Sequence, residues 1–517
     1  MREIQSAERR ICVSVCAQNA QELGSSVERA ARLADIIELR LDCLPGAELD
    51  KALSGLDALL SSHAKPFILT LRPAEQGGLR EIDALNRIVF WLDRLGPERA
   101  KGELLDIELD VARLLMQKEG LDWSRVICSY HDFSGTGSGP ENLYQQMKQT
   151  PAGVIKIAIR ALDATDSIPI FKLLERAKGE GREIIAVAMG EAGIVTRILG
   201  PSRGSFLTYG ALDKGRATAP GQPTAEELAN LYRVHKITES TMVTGLIGGT
   251  IAHSISPHIH NAAFAQSDVD GVYVPFEVRE VEGFLRRMAR PLSREINWEL
   301  RGLSVTAPHK RAVMQYLDWI EPSAREIGAV NTILVEGEEL HGYNTDAVAF
   351  LSTLEEKFGH ISGKGVAILG AGGAARSALW ALMRAGAQVT VFARDEEKGA
   401  RLGGEFGARA EALEGALFDG FDVVINATPL GTRSVSEGHT PVTLHQLRGA
   451  RCAYDLVYNP SETRFLSEAI EAGCEVIGGL GMLISQAAEQ FRLWTGRHAP
   501  VAAMMEAANR ALESKAS

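Results

Sequence analysis

The sequence predicts an α/β protein in two parts, an N-terminal (β/α)8 barrel followed by a two-lobed α/β half with a Rossmann-type cofactor domain. Eight short apolar runs alternate with helical stretches before residue 215. Near-continuous apolar strands between helices mark a parallel sheet, and eight of them in about 200 residues fit a barrel at the short end of its size range. The texture then changes at Thr241, after a polar stretch from Thr224 to Ser240 that reads as a last barrel helix and a joint. Further on, GVAILGAGGAARSALWAL (365 to 382) reads as a strand, a glycine-rich turn and a helix. A doubly wound open sheet is the alternative for the first part. The expected divisions are residues 1–237, 238–345 and 346–517.

The eight runs are, in order, ICVSVC (11–16), IIELRLD (36–42), FILTLR (67–72), LLDIELD (104–110), RVICSYH (125–131), VIKIAIR (154–160), EIIAVAM (183–189) and SFLTYGAL (205–212). A barrel gathers its functional groups at the C-terminal ends of its strands. Glu38 and Arg40 close the second run, Arg72 the third, Glu108 the fourth and His131 the fifth, while Lys156 projects from the sixth. Arg197 lies in the loop after the seventh, and ATAPGQ, with Thr218 and Gln222, follows the eighth. Burial disfavours an ammonium, so a lysine inside an apolar strand can offer a neutral amine that attacks a ketone to form a Schiff base. Arg40, Arg72 and Arg197 around that amine suit a substrate bearing a carboxylate and hydroxyls, because guanidinium groups bind carboxylates bidentately.

Composition narrows the partners. The chain has 517 residues, 45% hydrophobic and 23% charged, with a net charge of -11 and no basic block, which argues against nucleic acid or an anionic membrane. No apolar run reaches the roughly 20 residues needed to span a bilayer, and the opening MREIQSAERR resembles neither a signal nor a transit peptide, so a cytoplasmic location is expected. The six cysteines form no CxxC pair and are expected to be reduced core thiols. His253, His258 and His260 lack acidic or cysteine partners at ligand spacing, so no metal is expected.

In the second half, Gly370, Gly372 and Ala375 fit GxGxxA, which brings the backbone close to a pyrophosphate on a helix N-terminus; Ala371, Gly373 and Ala374 complete that turn. The next strand ends at Arg394, where an acidic residue would bind the ribose hydroxyl of NAD and an arginine can meet the 2′-phosphate of NADP. NADP is therefore expected over NAD, although Asp395 follows directly. Lys310, after Pro308 and His309, and Asp346, opening a helix, are the ionisable pair suited to supply a proton beside a carbonyl during hydride transfer.

Taken together, ELRLD, SYHDF, VIKIA, MGEAGIVTR and TAPGQ resemble the type I 3-dehydroquinate dehydratases over residues 10 to 225. The resemblance implies that Lys156 forms an imine with the substrate ketone and that His131 moves protons, with Glu108 orienting His131. It further implies that Arg197 holds the carboxylate and that Thr218 and Gln222 lie on a closing loop, while Glu38, Arg40 and Arg72 are expected to line the site from their strand ends. Thr218 stands where that family usually has serine.

GGTIAHSISPHIHN, LSVTAPHK, GAVNT, GYNTD, NATPLGT, YDLVYNP and GLGMLISQAAEQF resemble shikimate dehydrogenases over residues 241 to 512, which would make this half a two-lobed α/β dehydrogenase. By that resemblance Lys310 is catalytic, Asp346 and Asn331 orient substrate hydroxyls, and Ser254 and Ser256 hold the carboxylate. Thr306, Tyr458 and Gln486 complete the substrate shell, while Asn426, Thr428 and Gly481 flank the nicotinamide. Ala393 stands where that family often has asparagine, and Ala307 at a variable position. Whether Lys310 passes the proton or only stabilises charge stays open here.

Together the resemblances imply dehydration of 3-dehydroquinate and then reduction of the product with NADPH. A catabolic quinate or shikimate pair using NAD, and a ligand-binding regulator without catalysis, are the alternatives. Oligomeric state, domain orientation and transfer of the intermediate are not legible in the sequence.

Overall fold

The computed structural model describes residues 9–95, 103–133, 139–251, 254–433 and 435–516. The chain divides into two compact units, one built mainly from residues before Met242 and one mainly from residues after it.

The first unit holds β1 (Ile11–Val15), β2 (Ile36–Arg40), β3 (Phe67–Thr70), β4 (Leu104–Glu108), β5 (Val126–Asp132), β6 (Val154–Arg160), β7 (Ile184–Met189) and β8 (Thr208–Ala211). Each coincides with one of the apolar runs. The strands lie in the order β7-β6-β5-β4-β3-β2-β1-β8, and the pairing of β1 with β8 excludes the open doubly wound alternative. The seam between β7 and β8 is closed by a single parallel bridge between Ile184 and Ser205. Strand side chains alternate between the two faces of a sheet. In the barrel the outward set packs under the helices, while the inward set carries Ser14, Glu38, Asp106, Ser129 and Lys156, all buried. The polar stretch after β8 forms short helical turns at Glu227–Leu231 and Val234–Lys236.

One cysteine expectation is corrected. Cys16 and Cys43 form a disulfide, while Cys12, Cys128, Cys452 and Cys474 are buried free thiols. Spacing along the chain could not show the bond because the sheet creates it. Val15 is in register with Leu39, so the residues just past β1 and β2 are neighbours, with Cα atoms 5.5 Å apart.

The second unit contains two sheets. The first joins β9 (Met242–Gly248), β10 (Gly271–Glu277), β11 (Glu299–Val305), β12 (Trp319–Ile320), β13 (Thr332–Glu336) and β14 (Glu339–Tyr343) in the order β10-β9-β11-β13-β14-β12. The second is parallel, with order β17-β16-β15-β18-β19-β20, and comprises β15 (Gly365–Leu369), β16 (Gln388–Ala393), β17 (Arg409–Ala412), β18 (Val423–Asn426), β19 (Cys452–Asp455) and β20 (Glu475–Ile477). The order of this sheet reverses between β15 and β18, and ligands of doubly wound sheets bind at the carboxyl ends of strands at such a switch point. Among the described residues no helix is long and apolar enough to cross a membrane.

Replacing Cys16 and Cys43 together by serine should lower the stability of the barrel by about 3 kcal/mol, because the bond removes loop-closure entropy from the unfolded chain. A urea titration followed by barrel tryptophan fluorescence, without reductant, checks this; an unchanged midpoint would show that the bond adds nothing.

Candidate active sites

The barrel mouth gathers Glu38, Arg40, Arg72, His131, Lys156, Arg197, Thr218 and Gln222 around one cavity. Lys156, the third residue of β6, extends inward and is 6% exposed. Its Nζ lies 2.8 Å from Asp106 Oδ2, 2.9 Å from the Tyr209 hydroxyl and 3.6 Å from Glu38 Oε1. The amine is therefore paired, where the sequence alone suggested an isolated one. Asp106 also ion-pairs with Arg72 at 2.7 Å. Burial by itself would raise the carboxyl of Asp106, but Arg72 and Lys156 outweigh it and hold the group far below the usual range.

Glu108 stands elsewhere than expected. Its carboxylate accepts from Arg72 Nη1 at 2.7 Å and Arg87 Nη1 at 3.0 Å, and His131 is not among its partners. Glu108 and His131 are on adjacent strands, but the register sets Glu108 opposite Ser129, two residues short of His131. What holds His131 is Gln76, whose Oε1 accepts the His131 backbone N–H at 2.8 Å. Burial lowers the pKa of His131 well below its ordinary value, and the positive charges of Arg72 and Lys156 push the same way, so the ring is neutral at neutral pH. Its Nδ1 is buried without a hydrogen-bond partner among the described residues.

The three arginines are not equivalent. Arg40 is held by Asp42 in two bonds of 2.9 and 2.7 Å, and Arg72 is neutralised by Asp106 and Glu108. Arg197 is 2% exposed and makes no ion pair among the described residues; it donates to the Pro220 carbonyl at 3.5 Å. Burial pulls its pKa down to about 10, so it still carries charge at neutral pH. Gln222 Oε1 accepts the Thr218 N–H (2.8 Å) and hydroxyl (3.1 Å), which ties both ends of the loop together.

Asp106, Gln76 and Tyr209 were missed from the sequence. Asp106 had a signal, since it is two residues before Glu108 on a strand and so shares its face. Gln76 lies in a loop, where no periodicity points to it.

In the second unit Lys310 Nζ meets Asp346 Oδ2 at 2.6 Å, and Asn331 Nδ2 donates to Asp346 Oδ1 at 2.8 Å. The Asn331 amide has one allowed orientation, because its Oδ1 accepts the Thr345 backbone N–H (2.8 Å) and the Thr332 hydroxyl (2.9 Å), and a backbone N–H can only donate. Gln486 Oε1 is 3.5 Å from Asn331 Nδ2. Ser254 hydrogen-bonds the Tyr458 hydroxyl and accepts the Ser256 N–H at 3.1 Å. Thr306 follows β11 beside Gly248.

Gly370 has φ +109°, and a Cβ there would come within 3.0 Å of Thr428 Cγ2, so the turn brings the β15 and β18 loops together. Gly372 and Gly373 open the helix Gly373–Arg384, whose free N–H groups suit a phosphate, and Ala375 is buried in the core beneath. A Cβ on Gly373 would stand 3.5 Å from Lys310 Cδ, which sets the lysine stem beside this turn. Arg394 is exposed at the end of β16 with no partner among the described residues. The Asp395 carboxylate is committed locally: it accepts the Lys398 N–H at 3.1 Å as helix N-cap and pairs with Lys398 Nζ at 2.9 Å. Asn426 Oδ1 accepts from Thr428, and Gly481 lies in the first turn of the helix Leu480–Thr495 against Thr353. These residues fit a dinucleotide carrying a 2′-phosphate.

His253 lies outside the described residues. His260 is a core side chain stacked on Tyr273, its pKa pulled down to about 3 by burial, and His309 is buried. Among the described residues no cluster of His, Cys, Asp or Glu could hold a metal ion.

A barrel with a buried lysine in its mouth, followed in the chain by a glycine turn of the dinucleotide-binding kind with a lysine–aspartate pair beside it, fits an enzyme of two activities, a lyase and an oxidoreductase in one chain. Residues 11–239 match the type I 3-dehydroquinase family. Residues 246–333 match the shikimate dehydrogenase substrate binding domain, 352–456 shikimate/quinate 5-dehydrogenase, and 479–508 the shikimate 5′-dehydrogenase C-terminal domain. The chain is 33% identical to the chloroplastic bifunctional 3-dehydroquinate dehydratase/shikimate dehydrogenase of Arabidopsis thaliana, over 95% of this chain and 82% of that one. It is 42% identical to the shikimate dehydrogenase (NADP(+)) of Moorella thermoacetica, over 52% of this chain and 93% of that one. Among solved structures it is similar to shikimate 5-dehydrogenase from Thermus thermophilus in complex with NADP(H) and shikimate, with TM-score 0.47 and 37% identity over 52% of this chain and 100% of that one. The chain belongs to the bifunctional 3-dehydroquinate dehydratase/shikimate dehydrogenase family of the shikimate pathway.

Asp106→Asn removes the counter-charge shared by two buried cations and should destabilise the barrel by about 3 kcal/mol. The urea midpoint should fall with its slope unchanged; an unmoved midpoint would mean that Glu38 and Glu108 suffice.

Proposed function

We propose that the barrel dehydrates 3-dehydroquinate to 3-dehydroshikimate through an imine on Lys156, and that the second half reduces this product to shikimate with NADPH. The observation that carries the reading is the shared cavity of Lys156 and Arg197: an amine faces the same space as a buried cation that has no ion-pair partner among the described residues. A substrate that is both a ketone and a carboxylate meets both groups.

Lys156 Nζ attacks the ketone carbon, and loss of water leaves a protonated imine that acidifies the adjacent C–H. His131, neutral and held through its backbone by Gln76, removes that proton and returns it to the β-hydroxyl, which leaves as water. Hydrolysis frees the lysine. Arg197 holds the carboxylate, Glu38 and Arg40 border the ring hydroxyls, and Thr218 and Gln222 on their tied loop exclude water. Glu108 acts through Arg72, fixing it against Asp106.

In the second half, Ser254, Ser256 and Tyr458 hold the carboxylate end, with Thr306 and Gln486 beside the ring. Asn331 and Asp346 fix the hydroxyls. NADPH supplies a hydride to the carbonyl carbon when bound, and the Lys310–Asp346 pair serves the oxygen, where a proton must arrive. Arg394 supports NADP over NAD, since a free guanidinium at the end of β16 suits a 2′-phosphate and Asp395 is occupied by its helix.

Purified protein should convert 3-dehydroquinate to shikimate when given NADPH. Borohydride added with 3-dehydroquinate should leave a reduced adduct on Lys156, and Lys156→Met should abolish adduct and dehydration while reduction of 3-dehydroshikimate persists. An adduct at another lysine, or dehydration surviving in Lys156→Met, would overturn the assignment. Arg394→Ser should raise the KM for NADPH about tenfold, the loss of one charge-assisted phosphate contact, and leave the KM for NADH nearly unchanged; equal effects on both would remove Arg394 from phosphate recognition.

A further inference from the structure

The reductive half contains a buried carboxylate that the chemistry above does not use. Asp455 ends β19, is 0% exposed, and makes no ion pair among the described residues. Its Oδ1 accepts the Asn426 Nδ2 amide (2.9 Å) and the Val457 N–H (3.0 Å), and its Oδ2 accepts the Thr463 hydroxyl at 2.5 Å. Three segments therefore meet on one side chain: the turn that opens with Asn426 and Thr428, the turn that carries Tyr458, and the start of the helix Arg464–Glu471, which Thr463 caps. The first two turns are joined again where the Arg433 N–H donates to the Asn459 carbonyl at 2.8 Å.

A buried charge without a cation is costly, and a neutral side chain would serve packing better. What ionised Asp offers is acceptance from several donors at once, in a fixed plane. We propose that Asp455 is a positioning residue for the reduction, locking the cofactor-side turn of Asn426 and the substrate-side turn of Tyr458 into one arrangement so that hydride donor and ketone are correctly spaced. This rests on the reading that these two turns flank nicotinamide and substrate.

The lock is sensitive to protons. Burial pushes the Asp455 carboxyl up to about 6, against the opposing pull of its bonds from Thr463, Val457 and Asn426. Of the ionisable groups on the segments packed around it, Arg433 is engaged with Glu437 at 3.4 Å and Arg464 with Glu468 at 3.0 Å, Tyr458 is a phenol pushed up by burial, and Glu462 is exposed. Protonation turns one acceptor oxygen into a donor and removes its charge, which weakens the bonds from Asn426, Val457 and Thr463 or reverses the one with Thr463.

The test is the pH dependence of NADPH-linked reduction of 3-dehydroshikimate by the full chain, with its dehydratase activity as an internal measure of enzyme concentration and a urea titration as the measure of folding in the reductive half. In the wild type kcat/KM should fall as pH drops through about 6. Asp455→Asn should lower kcat/KM at neutral pH about tenfold, the scale of one buried charged hydrogen bond, with KM for both substrates raised and the acid limb lost. Thr463→Val removes a bond that favours the ionised form and should move the limb to higher pH. If Asp455→Asn does not fold, the Thr463→Val limb alone decides. An acid limb unchanged in Thr463→Val, or an Asp455→Asn enzyme that loses only kcat and keeps the wild-type profile, would overturn the proposal. Absence of any reduction in the wild type would instead overturn the functional reading on which it rests.

Discussion

The carboxylate of Asp106 lies between two cations, Arg72 at 2.7 Å and Lys156 at 2.8 Å, and all three side chains are buried. At such distances and in such burial an unmatched charge is costly, and most of the charged groups beside Asp106 are paired in one network. Arg72 reaches on to Glu108, Glu108 to Arg87, and Arg87 to Asp110, giving alternating signs from the barrel interior to its outer helix. This row holds the lysine amine against Asp106 and neutralises the charge of Arg72. Arg197 stands outside it, and the mouth therefore offers a visiting anion one strong point of attachment instead of three.

The second unit reaches a similar end with a neutral group at the centre. The Asn331 amide cannot flip without forfeiting the Thr345 N–H, so its NH2 must face Asp346, and Asp346 in turn faces Lys310. A single backbone donor thus determines where the lysine amine stands, beside the first turn of the dinucleotide-binding helix.

Much of this was legible in the sequence, for identifiable reasons. The eight barrel strands were visible because a strand buried on both faces is nearly all apolar, and Lys156 was conspicuous as a cation inside such a run. Arg394 was readable from its position at the end of β16, the strand that follows the glycine turn and its helix. What the sequence withheld were facts of pairing. Glu108 sits at the expected strand end, yet only the register reveals that it is opposite Ser129 and is bound by Arg72 and Arg87. The Cys16–Cys43 bond was hidden because its partners are 27 residues apart and become neighbours only when β1 and β2 pair. Gln76 was hidden because loop residues carry no period. Arg72 looked like a free cation because its carboxylates, Asp106 and Glu108, act across the fold and not along the chain. Arg40 looked equally free, although Asp42 stands only two residues away, because nothing in the spacing shows that the chain turns back after β2.

The capping of a helix by Asp395 bears on how cofactor use can change over evolutionary time. Asp395, the residue after Arg394, caps its helix through Oδ1 while Oδ2 faces the Lys398 ammonium, so a ribose hydroxyl there would compete with that ion pair. On the proposed reading of Arg394, a change toward the unphosphorylated dinucleotide would replace that residue and set a ribose hydroxyl against the Asp395–Lys398 pair at the start of the helix Glu396–Phe406. Cofactor preference and the capping of this helix would then draw on the same side chain.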